Sequence, residues 1–276
     1  MEFFKEKLKE KCTLQEAVDF FTGILEGNPQ NVDCLLHRGF YYFALNKFQK
    51  AIGDFNRVIE LEPGNRLARC LRGLLHGRLG NHEKSIQDFN RSLQADPSFA
   101  LTHMAKALVE GGRGEYDNAL QYLKVAGELD ESNPRIYLYR GDLLCRKKEF
   151  EAAIKEFYTA HKLAPEMAHH IRRLIRLTFL QGGFHHAEKG EYKTAIKYYR
   201  LYLQENPQGA NAYFYLGEAY MNLEDHRSAR INLMKAVDLS PDGKVKTDAH
   251  EMLEILNELS EIDGREKQQG QSGELE

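Results

Sequence analysis

VDCLLHRGFYYFALNKFQKAIGDFNRVIELEPGN, residues 32–65, decides the fold. The next block of the same length, RLARCLRGLLHGRLGNHEKSIQDFNRSLQADPSF over 66–99, carries similar residue classes in the same order. Its proline marks the beat. Pro29, Pro63 and Pro97 are 34 residues apart, and the same interval lands on Pro165 with one rung missing, at Glu131. A single gap of 42 residues leads to Pro207, after which 34 returns at Pro241. Proline cannot continue a helix and collects just after one stops. Pro134, three residues past the missing rung, suits the first turn of the next helix.

Counting back from each rung exposes three coupled columns. Twenty-four residues back lie Gly39, Gly73, Ala107, Gly141, Gly183 and Gly217, small enough for two helices to approach closely. Twelve back lie Ala17, Ala51, Ser85, Ala119, Ala153, Ala195 and Ala229. Eight back lie Phe21, Phe55, Phe89, Leu123, Phe157, Tyr199 and Leu233, bulky enough to fill the space the small residues leave. In these columns, over roughly residues 12–243, the chain resembles the tetratricopeptide repeat family. Repeat three departs most, with Ala107, Leu123 and Glu131 at the consensus sites. The family often has tryptophan early in the first helix of a repeat. Here Leu35, Tyr137, Phe179 and Tyr213 hold that site, and Arg69 and His103 hold it in repeats two and three.

The resemblance implies an all-α fold: a right-handed superhelical solenoid of antiparallel helix pairs with a C-terminal capping helix. Residues 1–31 are expected to form a truncated N-terminal repeat, 32–243 six full repeats, 244–262 the capping helix and 263–276 a disordered tail. The truncated repeat has a charged helix around 2–11, then one opened by a capping box of Thr13 and Glu16. Repeat five, about 168–209, carries eight extra residues. Because GEYKTAIKYY keeps its register to Pro207, the insertion is placed in a longer first helix through HHIRRLIRL, beginning near His169 and running past Gly183. In the cap, Ala249, Leu253, Leu256 and Leu259 fall near helical spacing.

A formal charge of -3 with 29% charged residues supplies no global basic field, which argues against nucleic acid as partner. Cys12, Cys34, Cys70 and Cys145 form no paired-thiolate motif, the opening MEFFKEKLKEK lacks an apolar signal core, and no apolar run is long enough for membrane insertion. A reducing, cytoplasmic setting is expected. His169/His170 and His185/His186 invite a metal, but adjacent histidines on a helix point about 100° apart and no carboxylate or thiolate stands at ligand spacing. They read as solvated or packing residues. Gly111, Gly112, Gly114, Gly182 and Gly183 fit no phosphate-loop pattern and read as turn and helix-contact glycines. With no nucleophile motif either, the expectation is no enzyme, no cofactor and no metal.

In the family, one face of each repeat's first helix meets partners. Offsets of 30, 27, 23, 20 and 19 before the rung select it, and in repeats one to three they return mostly apolar residues. The expected groove comprises Leu36, Phe40, Phe43, Leu74, Met104 and Leu108 as anchors and Leu138 and Asp142 beyond them, with Arg135 and Arg146 selecting polarity. The competing reading is that curvature or the N-terminal helix already covers this face. A carboxylate clamp of the chaperone-binding kind is disfavoured, since Leu36 and Phe40 stand where it would need Lys and Asn. Lys147, Lys148, Arg172, Arg173 and Arg176 form a candidate patch for an acidic or phosphorylated segment, against the commoner reading of a solvated face. A last column, Arg38, Arg72, Lys106 and Arg140 at offset 25, faces Asp54, Asp88 and Glu156 at offset 9, with Tyr122 replacing the acid in repeat three. These read as structural ion pairs. The chain thus reads as an adaptor or scaffold for a protein or peptide partner. The alternative is a structural subunit that self-associates through the same face or its N-terminal end.

Overall fold

The computed structural model describes residues 13–240 and 243–272. The charged helix expected around 2–11 and Cys12 lie outside them. The described residues form fourteen α-helices and no strand. They divide into two units, Met1–Leu143 and Leu144–Glu276.

In the first unit α1 (Leu14–Gly27) is followed by α2 (Val32–Ala44) with α3 (Phe48–Leu61), α4 (Arg66–Arg78) with α5 (His82–Ala95), and α6 (Ala100–Gly112) with α7 (Tyr116–Leu129). It also holds most of α8 (Pro134–Arg146). The capping box that opens α1 is present: Glu16 N–H donates to Thr13 Oγ1 at 3.2 Å and Thr13 N–H to the Glu16 carboxylate at 2.6 Å. Asn31 and Asn65 cap α2 and α4 through their side chains, accepting from the backbone N–H of Cys34 and of Ala68.

The coupled columns meet as their sizes require. A Cβ on Gly39 would stand 2.7 Å from the Phe55 ring, and one on Gly73 would stand 2.9 Å from Phe89. Ala51, Ser85 and Ala119 of the column at offset 12 are buried as well. Burying each such phenylalanine contributes about 2–3 kcal/mol, and a methyl added to the glycine would force the ring out of place. Along the chain direction the first helices also touch, since Gly77 of α4 leaves room for Val109 of α6 and Gly111 of α6 for Leu143 of α8.

In repeats two to four the tryptophan site carries a polar device instead. Arg69 Nε and Nη2 donate to the Pro63 carbonyl at 3.2 and 2.8 Å, His103 Nε2 lies 3.4 Å from the Pro97 carbonyl, and Tyr137 hydroxyl donates to the Glu131 carbonyl at 3.0 Å. Each side chain thus ties back to the rung residue six positions earlier. It meets a carbonyl that the preceding helix end leaves open.

The second unit continues with α9 (Phe150–Leu163), a 3-10 turn at Pro165–Met167, α10 (Ala168–Glu188), α11 (Tyr192–Glu205), α12 (Ala210–Met221), α13 (His226–Leu239) and α14 (Lys244–Ser272). α10 is continuous over 21 residues, so the insertion lengthens a first helix, the placement expected from the sequence. Gly183 and Gly217 again seat their column partners, Tyr199 and Leu233. α14 packs on α13 with Ala249 and Leu256 buried. It runs to Ser272, however, past the expected end at 262, so helix replaces the expected disorder through that residue. Residues 273–276 lie outside the described part.

One feature of both units escaped the sequence reading. The turn inside every full repeat holds a residue with positive φ, always 17 before the rung: Asn46, Gly80, Gly114, Lys148, Gly190 and Glu224. Only glycine adopts this conformation without a Cβ penalty.

Candidate functional site

The face selected by the five offsets separates into inward and outward rows. Offsets 27 and 20 turn inward, giving Leu36, Cys70, Met104, Leu138, Phe43, Gly77 and Gly111 partial or full burial. Here successive first helices pack on one another. Offsets 30, 23 and 19 turn outward and hold Leu101, Phe40, Asp142, Arg135, Arg78 and Arg146 in solvent.

Of the expected groove residues, Phe40 at 49% exposure offers the largest apolar surface. It stands edge-on to Tyr41, with ring centroids 6.0 Å apart. Leu74 and Leu108 hold the same row in the next two repeats and are half-buried. Leu36 and Phe43 pack partly against the core around Ala51, Phe55 and Leu75, and the Phe43 ring also carries the Arg78 guanidinium 5.1 Å above it. Met104 corrects the sequence reading: at 4% exposure it belongs to the core with Ala107, Leu123 and Ile136. Its offset of 27 points it at the next first helix. Beyond these, Leu138 is half-buried, while Arg135, Asp142 and Arg146 are exposed. Burial pushes the neighbouring Cys70 thiol up to about 12, so it stays protonated and acts as a small apolar side chain.

The basic patch has two parts with different commitments. Lys147 pairs with Glu149 at 2.8 Å, and Lys148 occupies the left-handed turn after α8. Arg172 and Arg173 are exposed and Arg176 half-buried, all in the first half of α10. The histidine pairs serve packing and solvent. His186 stacks on Tyr198 and meets Glu191, His185 lies against Phe150, and His169 and His170 are exposed. No metal-binding cluster is found among the described residues, and no helix there is long and apolar enough to cross a membrane.

In repeats one and two the expected ion pairs form. Arg38 binds Asp54 through Nε and Nη2 at 2.9 and 2.6 Å, and Arg72 binds Asp88 through the same two atoms at 2.8 and 2.6 Å. Each arginine also reaches the preceding second helix, at Thr22 and Asn56 respectively. In repeat three Lys106 sits 4.5 Å over the ring of Tyr122, a cation–π contact in place of the ion pair.

Comparison with known proteins agrees with this geometry. A model of the tetratricopeptide repeat family matches residues 38–98, 104–168 and 183–244. The human tetratricopeptide repeat protein 16 is 24% identical over 113 residues, which are 40% of this chain and 13% of that protein. The C-terminal part of a TPR repeat-containing protein from Cytophaga hutchinsonii superposes with a TM-score of 0.64 at 17% identity, covering 89% of this chain and 98% of the other. The APC/C hetero-tetramer Cut9-Hcn1 gives a TM-score of 0.52 at 18% identity, covering 88% of this chain and 46% of that chain. At such identities the structural likeness shows the fold alone.

Proposed function

Because the chain belongs to the tetratricopeptide repeat family, we propose that it is a non-enzymatic adaptor that holds a segment of a partner protein on the outward rows of its first helices. The observation that carries this reading is Phe40, a phenylalanine half in solvent at the outward offset of 23. Leu74 and Leu108 repeat the apolar character in that row, and Leu101 is exposed at offset 30. Partly exposed apolar surface that continues from repeat to repeat favours burial against another chain. Arg135 would orient the segment, while in the second unit Arg146 and the arginines of α10 would favour an acidic segment of their own. The cysteine usage fits action in the cytoplasm.

The test is affinity capture with the full chain beside Phe40→Asp and Leu108→Asp. Both variants should keep near-native melting temperature and lose the captured partner. If they stay folded and keep it, the reading is overturned. Light scattering at several concentrations identifies the alternative, since a self-associating subunit would grow in mass and Phe40→Asp would return it to a monomer.

A further inference from the structure

Phe184 and Glu188 of α10, Tyr199 of α11, and Tyr215, Glu218 and Asn222 of α12 line a recess of about 350 Å³ within the second unit. Its walls are rings in contact. Phe184 meets Tyr215 edge-on with centroids 4.5 Å apart, and Tyr199 lies nearly parallel to Tyr215 at 6.0 Å. Glu218 is half-buried, and neither it nor Glu188 has an ion pair or side-chain hydrogen bond with another described residue. The charged pairs of the first unit are satisfied by contrast. Asn222 donates its amide to the Glu218 carbonyl at 2.9 Å, which leaves Oδ1 to accept.

We propose that this recess takes the ammonium group of a lysine on a partner protein's segment. The proposal rests on the reading of the first-helix face as partner-binding, because Phe184 and Glu218 stand at offset 23 and Glu188 and Asn222 at offset 19, the outward rows. Charge complementarity chooses the occupant. An acidic side chain would meet two carboxylates, and an apolar one would dry Glu218 further without balancing its charge. A cation gains from both carboxylates and from the negative faces of the rings. Lysine fits the acceptor count, since its three N–H donors match Glu188, Glu218 and Asn222 Oδ1. Burial already raises the affinity of Glu218 for a proton, the smallest cation, which agrees with a site short of positive charge.

The test titrates the full chain with a short capped peptide containing one lysine among alanines and glycines, and with counterparts carrying norleucine or arginine instead. Ring resonances of Tyr199 and Tyr215 report occupancy, and circular dichroism confirms that Glu218→Gln and Glu188→Gln remain folded. The lysine peptide should bind about tenfold more tightly than the norleucine peptide, a difference of roughly 1.4 kcal/mol. Glu218→Gln should erase that preference and leave the norleucine affinity unchanged. Equal binding of the two peptides, a preference that survives Glu218→Gln, or no binding of either would overturn the proposal. An arginine peptide that binds as tightly as lysine would overturn the choice of ammonium. None of these outcomes moves the capture assay on Phe40, so failure of the recess and failure of the adaptor reading remain distinguishable.

Discussion

The two units bury charge in opposite ways. In the first, Arg38 and Arg72 enter the crossing between paired helices and each meets an aspartate through two hydrogen bonds. In the second, the corresponding positions of repeat five hold Gly182 and Tyr198, so a ring takes the volume of the ion pair. Repeat three stands between, with Lys106 over Tyr122. The crossing therefore fixes a volume and a requirement for balanced charge, and several chemistries meet it. Glu218 of the second unit leaves the balance open, a half-buried carboxylate among rings without a cation.

The sharpest way to break this comparison is Asp88→Ala, which strands the Arg72 guanidinium beneath the surface. It should destabilise by about 3 kcal/mol, read from urea midpoints, whereas Arg72→Met combined with Asp88→Leu should recover most of the loss. An Asp88→Ala protein as stable as the parent would show that water already solvates the arginine. Next comes Gly182→Ala. Its Cβ would stand 2.6 Å from the Tyr198 ring, and such overpacking should cost about 2 kcal/mol and lower the melting temperature, showing that repeat five has no room for a side chain where repeats one and two place arginine.

The turns offer a smaller contrast. Lys148→Gly and Glu224→Gly should each raise stability by about 0.5–1 kcal/mol, while Gly114→Ala, at φ 86°, should lower it by a similar amount; equal melting temperatures would show the turns to be unstrained. Smallest of all, Glu218→Gln should stabilise the unliganded protein by roughly 0.5 kcal/mol at neutral pH. The folded-state affinity of Glu218 for its proton is raised above the usual 4.5. Its favourable contribution is therefore complete below that value and lost as pH rises through the folded-state transition. The advantage of glutamine should fade on acidification; a difference that persists or grows in acid would contradict the assignment.

The fold was legible because the columns at offsets 24, 12 and 8 are pairs of complementary sizes that only a repeated helix crossing brings together, as Gly39 and Phe55 or Gly217 and Leu233 show. The insertion was legible for a related reason, since intact register on its far side put it earlier in the repeat, where a longer α10 was the simplest placement. The site was legible only in part. A helical offset gives direction around an axis and carries no record of what the next repeat places there, so Met104 looked accessible until Asn133 and Ile136 were seen beside it. The recess gathers residues from three helices, and Tyr199 enters it from a column that reads as pure core. The left-handed turn residues left their trace as Gly80, Gly114 and Gly190 at one offset, but Asn46, Lys148 and Glu224 interrupted it.

The buried thiols of Cys34 and Cys70 have an experimental consequence. Each stands in the first helix of its repeat, one in repeat one and the other in repeat two, and neither is disulfide-bonded. A bulky thiol reagent can reach them only when those helices open, so their labelling rates form two local clocks set into adjacent repeats. If the two rates match, these repeats open as one cooperative block. If Cys34 reacts faster, unzipping starts at the amino-terminal end, and a ligand that docks on Phe40 would slow the first clock before the second.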